Sequence, residues 1–395
     1  MKKENIIIST VLVLAGILTF PLFLNAQDQT NVADTTFKLL SMSNIATAPH
    51  IDNGIIYYGS WRTTFGNYEQ GDGHIYAVDL STKKERWRFK CLYKMGSTPV
   101  TSKGIIYFGN GELVNYRDIR ERKGCFYALD CKTGKEKWRV NTGGGINCKP
   151  SILGDIVYFG CHDGYLYALN KKTGEEIWKF QTYGPVVSSP VIYENTIYIG
   201  TKDVCLYAID PLSGEMIWKS RIELDKHSAL MTPAVSDKRI FVARHAGRMH
   251  ALDRMTGDHL WTYPSVSSTN LPDDGFIHSP PSYFHNKVFF ASHDYFFYVL
   301  EEEGDLRWKK MLDERGTQNS IPYIDDSSVY LVNLDGYDLY SIDINRSETN
   351  WKFESTGSIF STPIANENLI FINSLNGNLF VINKQTGKLE WEFSP

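Results

Sequence analysis

The residue types that most often carry chemistry do not form a catalytic pattern in this sequence. We find no pair of carboxylates in a general acid–base frame, no nucleophile elbow and no zinc-binding signature. Three histidines, His162, His245 and His293, occupy equivalent turn positions in separate, similar segments. Zinc ligands lie about 2 Å from the ion, and turns in separate segments are too far apart to share one. We therefore expect tight turns, as in His162-Asp163-Gly164, and no metal site.

The cysteines are the second group of reactive side chains. All six fall within one third of the chain, at Cys91, Cys125, Cys131, Cys148, Cys161 and Cys205. No C-x-x-C motif occurs among them, which argues against a zinc site or a dithiol redox site. The sequence does not determine their pairing. We expect buried thiols or ordinary disulfides, without a catalytic role.

Eight tryptophans show how the chain is organised. They recur every 40 to 51 residues, at Trp87, Trp138, Trp178, Trp218, Trp261, Trp308, Trp351 and Trp391. Each closes a segment of one type, in which an apolar run is followed by Asp or Asn, a glycine turn and the Trp. The run Leu166–Asn170, followed by Thr173-Gly174 and Trp178, is one example. A period near forty residues indicates a repeat architecture.

Each part of this segment has a physical reason. The apolar run predicts a strand that is buried on both faces, and the Asp or Asn side chain can accept hydrogen bonds from the turn amides. The glycine supplies the positive φ that such a turn needs. Lys83 and Ser347 replace it in the first and seventh copies. We expect those two turns to be looser or of another type.

A proline precedes each of these tryptophans and completes the repeat. The eight are Pro49, Pro99, Pro150, Pro190, Pro233, Pro280, Pro322 and Pro363, and in five copies the proline lies 28 residues before the Trp. This length accommodates four short strands. Proline is tolerated where a strand begins, which here is the inner, channel-lining strand. Four-stranded units repeated radially predict an all-β fold, an eight-bladed β-propeller of four-stranded antiparallel blades.

The frame A-x-D-x-x-T-G-x-x-x-W resembles the pyrroloquinoline-quinone-type repeat family, and the resemblance covers nearly all of residues 45 to 393. Within that superfamily, the length of the chain and its expected lack of an attached domain most resemble the BamB family of outer-membrane assembly factors. The resemblance implies that an N-terminal strand completes the last blade. Here Trp391 already supplies that outer strand, so we expect Trp391 in the blade and residues 35 to 40 alongside it.

Insertions in the repeat indicate where binding takes place. The loop between the second and third strands is lengthened in blades one and two, at 61–73 and 110–123, and three links between blades are also long. In an antiparallel blade all five emerge on one face, and loops on a rigid scaffold often carry function. Aromatic and Arg side chains are common interface anchors. The candidate partner-binding residues are Trp61, Tyr68, Tyr116, Arg117, Arg120, Asp273 and Asp274.

Two functions are compatible with the resemblance. The first is a non-catalytic scaffold that binds a protein partner through this face, in envelope or outer-membrane protein assembly. The alternative is a quinoprotein dehydrogenase, which the resemblance implies would hold its quinone and Ca²⁺ in the central funnel with acidic ligands. The eight predicted inner-strand starts are short separate segments, of which the first is Asn44–Thr47 and the last is Ser358–Thr362. None of them contains Asp or Glu. We therefore favour the scaffold, with no cofactor and no catalytic residue. A glycan hydrolase or lyase has no supporting motif.

The N-terminus and the charge balance indicate the compartment. Lys2 and Lys3 precede an apolar run from Ile6 to Leu24, which predicts a signal peptide at residues 1–26, cleaved after Ala26, with an uncleaved anchor as the alternative. Residues 27–44 then form a lead-in, and residues 45–395 form a single propeller domain. We expect an exported, periplasmic or otherwise extracytoplasmic protein that does not span the membrane after cleavage. The net charge of −4 argues against a nucleic-acid partner.

Overall fold

The computed structural model describes most of the chain from residue 48 onward. The described ranges are 48–64, 67–111, 123–222, 229–244, 247–263, 277, 279–292, 294–312, 321–333, 338–355, 359, 361–374 and 377–395. For residues 61–64 and 67–72 it describes the backbone alone. The expected signal peptide and lead-in lie outside these ranges. Within them, no helix is long and apolar enough to cross a membrane.

The first four blades follow one another along the chain, each with its strands in sequence order. Blade one contains β1 (His50–Asp52), β2 (Ile55–Thr64), β3 (Asn67–Asp79) and β4 (Lys84–Lys90). Blade two contains β5 (Val100–Ser102), β6 (Ile105–Gly111), β7 (Gly124–Asp130) and β8 (Glu136–Thr142). Blade three contains β9 (Ser151–Leu153), β10 (Ile156–Gly160), β11 (Tyr165–Asn170) and β12 (Glu176–Gln181). Blade four contains β13 (Val191–Tyr193), β14 (Thr196–Gly200), β15 (Cys205–Ile209) and β16 (Met216–Arg221).

The last four blades repeat this order. Blade five contains β17 (Ala234–Val235), β18 (Arg239–Arg244), β19 (Arg248–Asp253) and β20 (His259–Tyr263). Blade six contains β21 (Ser282–Phe284), β22 (Lys287–Ala291), β23 (Phe296–Glu301) and β24 (Leu306–Met311). Blade seven contains β25 (Tyr323–Ile324), β26 (Ser328–Asn333), β27 (Asp338–Asp343) and β28 (Thr349–Glu354). Blade eight contains β29 (Ile364–Ala365), β30 (Leu369–Asn373), β31 (Leu379–Asn383) and β32 (Leu389–Phe393). The predicted eight-bladed propeller is confirmed.

The core lies between neighbouring blades. Side chains alternate along the central strands, so in β10 Val157 and Phe159 pack toward blade two while Tyr158 packs toward blade four. Another cluster of buried side chains joins Tyr58 of blade one to Phe371 of blade eight. Packing between the first and last blades therefore closes the ring. Trp391 lies on the outer strand of blade eight, as predicted.

The turn before each outer strand is built as the sequence indicates. In blade four, the Asp210 carboxylate accepts the amides of Leu212 and Ser213 at 2.9 and 2.8 Å. Gly214 has φ of 73°, and a Cβ there would lie 2.6 Å from Cδ2 of Trp178 in blade three. The glycine is thus required twice, by its backbone conformation and by the Trp that packs on it.

The expectation for the two turns without glycine is wrong. Lys83 and Ser347 adopt φ of 57° and 58°, close to Gly214. Their amides donate to the carbonyls of Asp79 and Asp343 at 2.8 and 3.1 Å, as in the glycine turns. The Asp side chains also bind the turn amides in both copies. These bonds hold the turn in place although a left-handed residue with a side chain costs about 1–2 kcal/mol.

The repeat proline of blade six also differs from the prediction. β21 begins directly after Pro281, just as β13 begins after Pro190, so Pro281 and not Pro280 is the equivalent residue. Pro280 lies at the usual distance before Trp308 only because the turn before the outer strand of blade six is one residue shorter than in the other blades. In that turn the Gly304 amide donates to the Glu301 carbonyl three residues earlier, instead of four.

Candidate functional site

All five insertions emerge on one side of the propeller. Because the strands of each blade are antiparallel and in sequence order, the turns between second and third strands and the links between blades share one face. We call it the insertion face. In blade one the insertion extends β2 and β3 into a long hairpin, with Trp61 opposite Gly73 and Thr64 opposite Asn67. The expected loop is therefore largely paired strand.

The predicted binding residues are only partly placed. Trp61 lies on β2 and Tyr68 on the neighbouring β3. The other five lie outside the described residues. They are Tyr116, Arg117 and Arg120, in 112–122, and Asp273 and Asp274, in 264–276. Gly111 pairs with Gly124 in blade two. The segment that carries Tyr116, Arg117 and Arg120 therefore connects two directly paired residues. The joint site remains a prediction.

A groove that the sequence did not indicate lies on the insertion face at blade four. It has a volume of about 390 Å³ and is lined by Tyr183, Asp203, Cys205, Lys219 and Arg221. Tyr183 is 85% exposed, and the Lys219 ammonium lies 4.1 Å from the centre of its ring. Tyr183 lies in a link of ordinary length, so insertion length could not have identified it. The groove offers an aromatic ring and two cations.

The thiol in this groove is a weak nucleophile. Burial, followed by a hydrogen bond with Asp203, raises the pKa of Cys205 to about 11. It is therefore protonated at neutral pH, and a protonated thiol is poorly reactive. All six cysteines are unpaired and five are buried, so the thiol alternative is correct and the disulfide alternative is wrong.

Hydroxyl groups at the starts of the inner strands bind neighbouring backbone. The Thr98 hydroxyl accepts a hydrogen bond from the Ala48 amide at 3.2 Å. In the same way, the Ser189 hydroxyl accepts from the Lys149 amide at 3.0 Å, and the Thr232 hydroxyl accepts from the Ser189 amide at 2.9 Å. Each bond joins one blade to the next. These polar groups are thus engaged in holding the inner ends of the blades together.

Of the three predicted histidine turns, the one at His162 lies in the described part of the chain. The Gly164 amide donates to the Cys161 carbonyl at 3.2 Å, and Gly164 has φ of 88°, which confirms the tight turn at His162. His245 and His293 lie outside the described residues. Across the described ranges, no three His, Cys, Asp or Glu side chains are grouped as metal ligands.

Comparison with known proteins agrees with this architecture. The sequence pattern of the family described as "Outer membrane protein assembly factor BamB" matches residues 71–279 and 275–394. The structure of BamB from Moraxella catarrhalis superposes with a TM-score of 0.66 at 17% identity, covering 85% of this chain and 95% of that one. A europium-containing methanol dehydrogenase gives 0.62 at 14% identity, covering 85% and 81%. At these identities the two structures show a shared fold.

A further similarity covers a short stretch. The beta-alanine-activating enzyme of Mus musculus is 28% identical over 106 residues, which are 26% of this chain and 10% of the enzyme. The chain thus spans about a tenth of the length of this curated relative. The family pattern, in contrast, runs from blade one to the last strand of blade eight. The repeat, the eight-bladed ring and this match together show that the chain belongs to the family of the outer membrane protein assembly factor BamB.

Proposed function

We propose that the protein is a non-catalytic extracytoplasmic scaffold that binds a protein partner through its insertion face, in envelope or outer-membrane protein assembly. The observation that carries this proposal is the asymmetry between the two faces. The insertions share one face, whereas the opposite face carries short turns of nearly constant length. Rigid scaffolds often bind through such variable loops.

Two described features of the insertion face support the proposal. The β2–β3 hairpin presents strands longer than those of any other described blade. At blade four, Tyr183 is exposed with Lys219 against its ring. Aromatic residues and Arg are enriched among the side chains that dominate binding energy. Trp61, Tyr68, Tyr116, Arg117 and Arg120 are the proposed contributors on blades one and two, with Asp273 and Asp274 in the fifth link.

The dehydrogenase alternative has weaker support. A Ca²⁺ ion takes about six to eight oxygen ligands, preferably including carboxylates. The described hydroxyls at the inner strand starts, such as Ser189 and Thr232, already accept backbone amides. An absorbance spectrum and bound-metal analysis of the purified protein distinguish the two functions. A quinone chromophore with stoichiometric Ca²⁺ would replace the scaffold proposal.

The partner hypothesis is tested by replacing residues 112–123, which lie between the paired Gly111 and Gly124, with a Gly-containing turn. The change keeps β6 and β7 and their pairing, so we expect a folded protein that captures its partner less well. Capture is measured from an envelope extract of the source cells, with quantitative mass spectrometry. A folded variant that retrieves the same partners with unchanged affinity shows that this segment is not the site.

Single substitutions compare the two faces directly. Tyr183→Ser removes an 85% exposed aromatic side chain from the insertion face, and Leu212→Ser removes a 74% exposed side chain from the opposite face. We expect weaker capture from the first and unchanged capture from the second. Equal losses from both would argue that binding does not depend on the insertion face.

Export is tested separately. We propose that the mature protein begins at Gln27 and is found in the extracytoplasmic fraction, because residues 1–26 have the pattern of a signal peptide. N-terminal sequencing of the fractionated protein decides this. Recovery of an intact Met1 in the membrane fraction supports the anchor instead.

A further inference from the structure

Blade five departs from the repeat at a pair of facing positions. In the other seven blades, the third strand carries an aromatic residue opposite the residue that follows the outer Trp. These aromatics are Tyr76, Tyr127, Tyr167, Tyr207, Tyr298, Tyr340 and Phe380. In six blades the facing residue is Lys or Arg, as in the Tyr207–Lys219 pair. Blade five has His250 opposite Thr262.

The neighbouring blade changes at the same place. Phe89 packs against Tyr127 of the next blade, and Phe180 packs against Tyr207, with ring centres 5.6 and 5.7 Å apart. The residue of blade four at this position is Ser220, which pairs with Leu206 as Phe180 pairs with Leu166. The substitutions thus remove an aromatic pair and a cation from one blade junction and place an imidazole there.

A second imidazole faces the first. His250 Nδ1 lies 3.4 Å from His259 Nε2, and Thr262 Oγ1 lies 3.1 and 2.8 Å from these two nitrogens. The ring centres are 5.6 Å apart at an interplanar angle of 69°, so the rings meet at their nitrogens and do not stack. His250 is 1% exposed, whereas His259 is exposed on the outer strand.

These distances match a metal coordination shell. Two nitrogens about 2.0–2.1 Å from a tetrahedral Zn²⁺ are separated by about 3.3–3.4 Å. The His250–His259 separation equals this edge, and the Thr262 oxygen lies near a third corner. Imidazole nitrogens suit Zn²⁺ and Cu²⁺, whereas Mg²⁺ and Ca²⁺ prefer oxygen ligands.

We propose that His250 and His259, with the Thr262 hydroxyl beside them, bind one late-transition divalent cation, Zn²⁺ or Cu²⁺, on blade five. His250 is held by the blade junction, and His259 is open to solvent, where water completes the coordination. The site joins the third and outer strands of one blade. It does not depend on the partner-binding face, so it stands or fails independently of the proposed scaffold function.

Calorimetric titration of the chelator-treated, full-length protein with Zn²⁺ tests the proposal. We expect binding of one equivalent at this site, and a melting temperature that rises with Zn²⁺. His259→Gln removes one ligand from an exposed position and is expected to weaken binding at least about tenfold. Mg²⁺ at the same concentration is expected neither to bind nor to compete.

Two further variants make the result specific. His250→Tyr installs the residue that six other blades carry, so we expect a folded protein, checked by circular dichroism, with the same loss of Zn²⁺ binding. His285→Gln alters a histidine outside the group, whose side chain is 63% exposed, and is the control expected to bind as the parent does. If His259→Gln and His250→Tyr bind Zn²⁺ with the parent affinity, or the parent binds none, the two histidines are a hydrogen-bonded pair alone.

Discussion

The junction between blades three and four and the junction between blades eight and one use the same repeat positions differently. At the former, the Trp178 indole donates to the Pro211 carbonyl at 3.1 Å, and its ring packs on Gly214. At the latter, Lys83 stands in place of the glycine, with its ammonium 5.8 Å from the ring centre of Trp391. In the described chain, Trp391 has no equivalent indole bond.

The difference lies at the outer rim and not in the core. Both junctions contain a cluster of fully buried side chains, which includes Ile197 in one and Ile56 in the other. Seven of the eight repeat tryptophans donate to a carbonyl of the following blade, at 2.9 to 3.2 Å. Among the described residues, the closing junction thus retains the apolar packing but has no such indole–carbonyl bond. We infer that its rim contributes less to stability than the rim of a regular junction.

The largest effect is expected from Trp178→Ala. The variant loses the packing of a large, partly buried ring and leaves the Pro211 carbonyl without its indole donor. We expect the free energy of unfolding to fall by about 3 kcal/mol. Urea denaturation measures this value. A change near zero would mean that the outer tryptophans do not stabilise the junctions.

Trp391→Ala is the matched change at the closing junction. It removes the same side chain where no indole–carbonyl bond is present among the described residues. We expect a loss about 1 kcal/mol smaller than that of Trp178→Ala, the usual net contribution of one hydrogen bond. Parallel urea titrations compare the two variants. Equal or greater loss from Trp391→Ala would contradict a weaker rim at the closure.

Gly214→Ala tests the close contact of glycine with Trp. The new Cβ would lie 2.6 Å from the Trp178 ring at a backbone φ of 73°. We expect a loss of about 1–3 kcal/mol in the free energy of unfolding. Lys83→Ala is the control, because that turn already has a side chain at positive φ. A loss from the control as large as that from Gly214→Ala would show that the effect is not caused by contact with the Trp.

Lys83→Gly makes the closing turn like the regular ones. Glycine relieves a left-handed residue with a side chain, and this gain is partly offset by its greater freedom in the unfolded chain. We expect a net gain of about 0.5–1 kcal/mol, measured by thermal and urea unfolding. Destabilisation would indicate that the Lys83–Trp391 contact contributes more than the backbone strain costs.

A pH-dependent effect is expected at the inner end of blade one. Burial, assisted by Lys149, lowers the pKa of His50 to about 4, and its Nε2 lies 2.9 Å from Thr101 Oγ1 in blade two. Between pH 6.5 and 4 the unfolded chain binds a proton that the folded protein does not, so stability falls as the pH decreases through this range. We expect His50→Gln to flatten this dependence when unfolding is followed across this pH range. Identical pH profiles for His50→Gln and the parent would show that His50 is not responsible.

The local parts of the repeat could be predicted from sequence. Asp210 and Gly214 were assigned to the turn that they form, and Trp391 to the outer strand of blade eight. The predictions failed where hydrogen bonds within a turn compensate for a missing glycine, or where one deviation masks another. Lys83 keeps the glycine conformation because Asp79 binds the turn amides, and a shortened turn concealed that Pro281 begins blade six.

The binding surfaces were less predictable. Insertion length indicated the insertion face but not Tyr183, which belongs to a link of ordinary length. The sequence did not indicate that His250 and His259 lie close together, because their proximity depends on the register of β19 against β20. That register shifts between Ala251 and Leu252, as it does at the equivalent position of every other blade, and we did not predict this shift from the sequence.

The sequence by itself determined the number of blades, the order of their strands and the turns that join them. These features depend on residues within one repeat, where apolar alternation and turn-forming side chains act over a few positions. Only the tertiary structure decided which ring meets which glycine, how the ring closes, and which side chains form the groove at Tyr183 and the histidine group of blade five. Those contacts depend on differences of a few tenths of an ångström in the distances between strands and between blades. Residue spacing does not encode such differences.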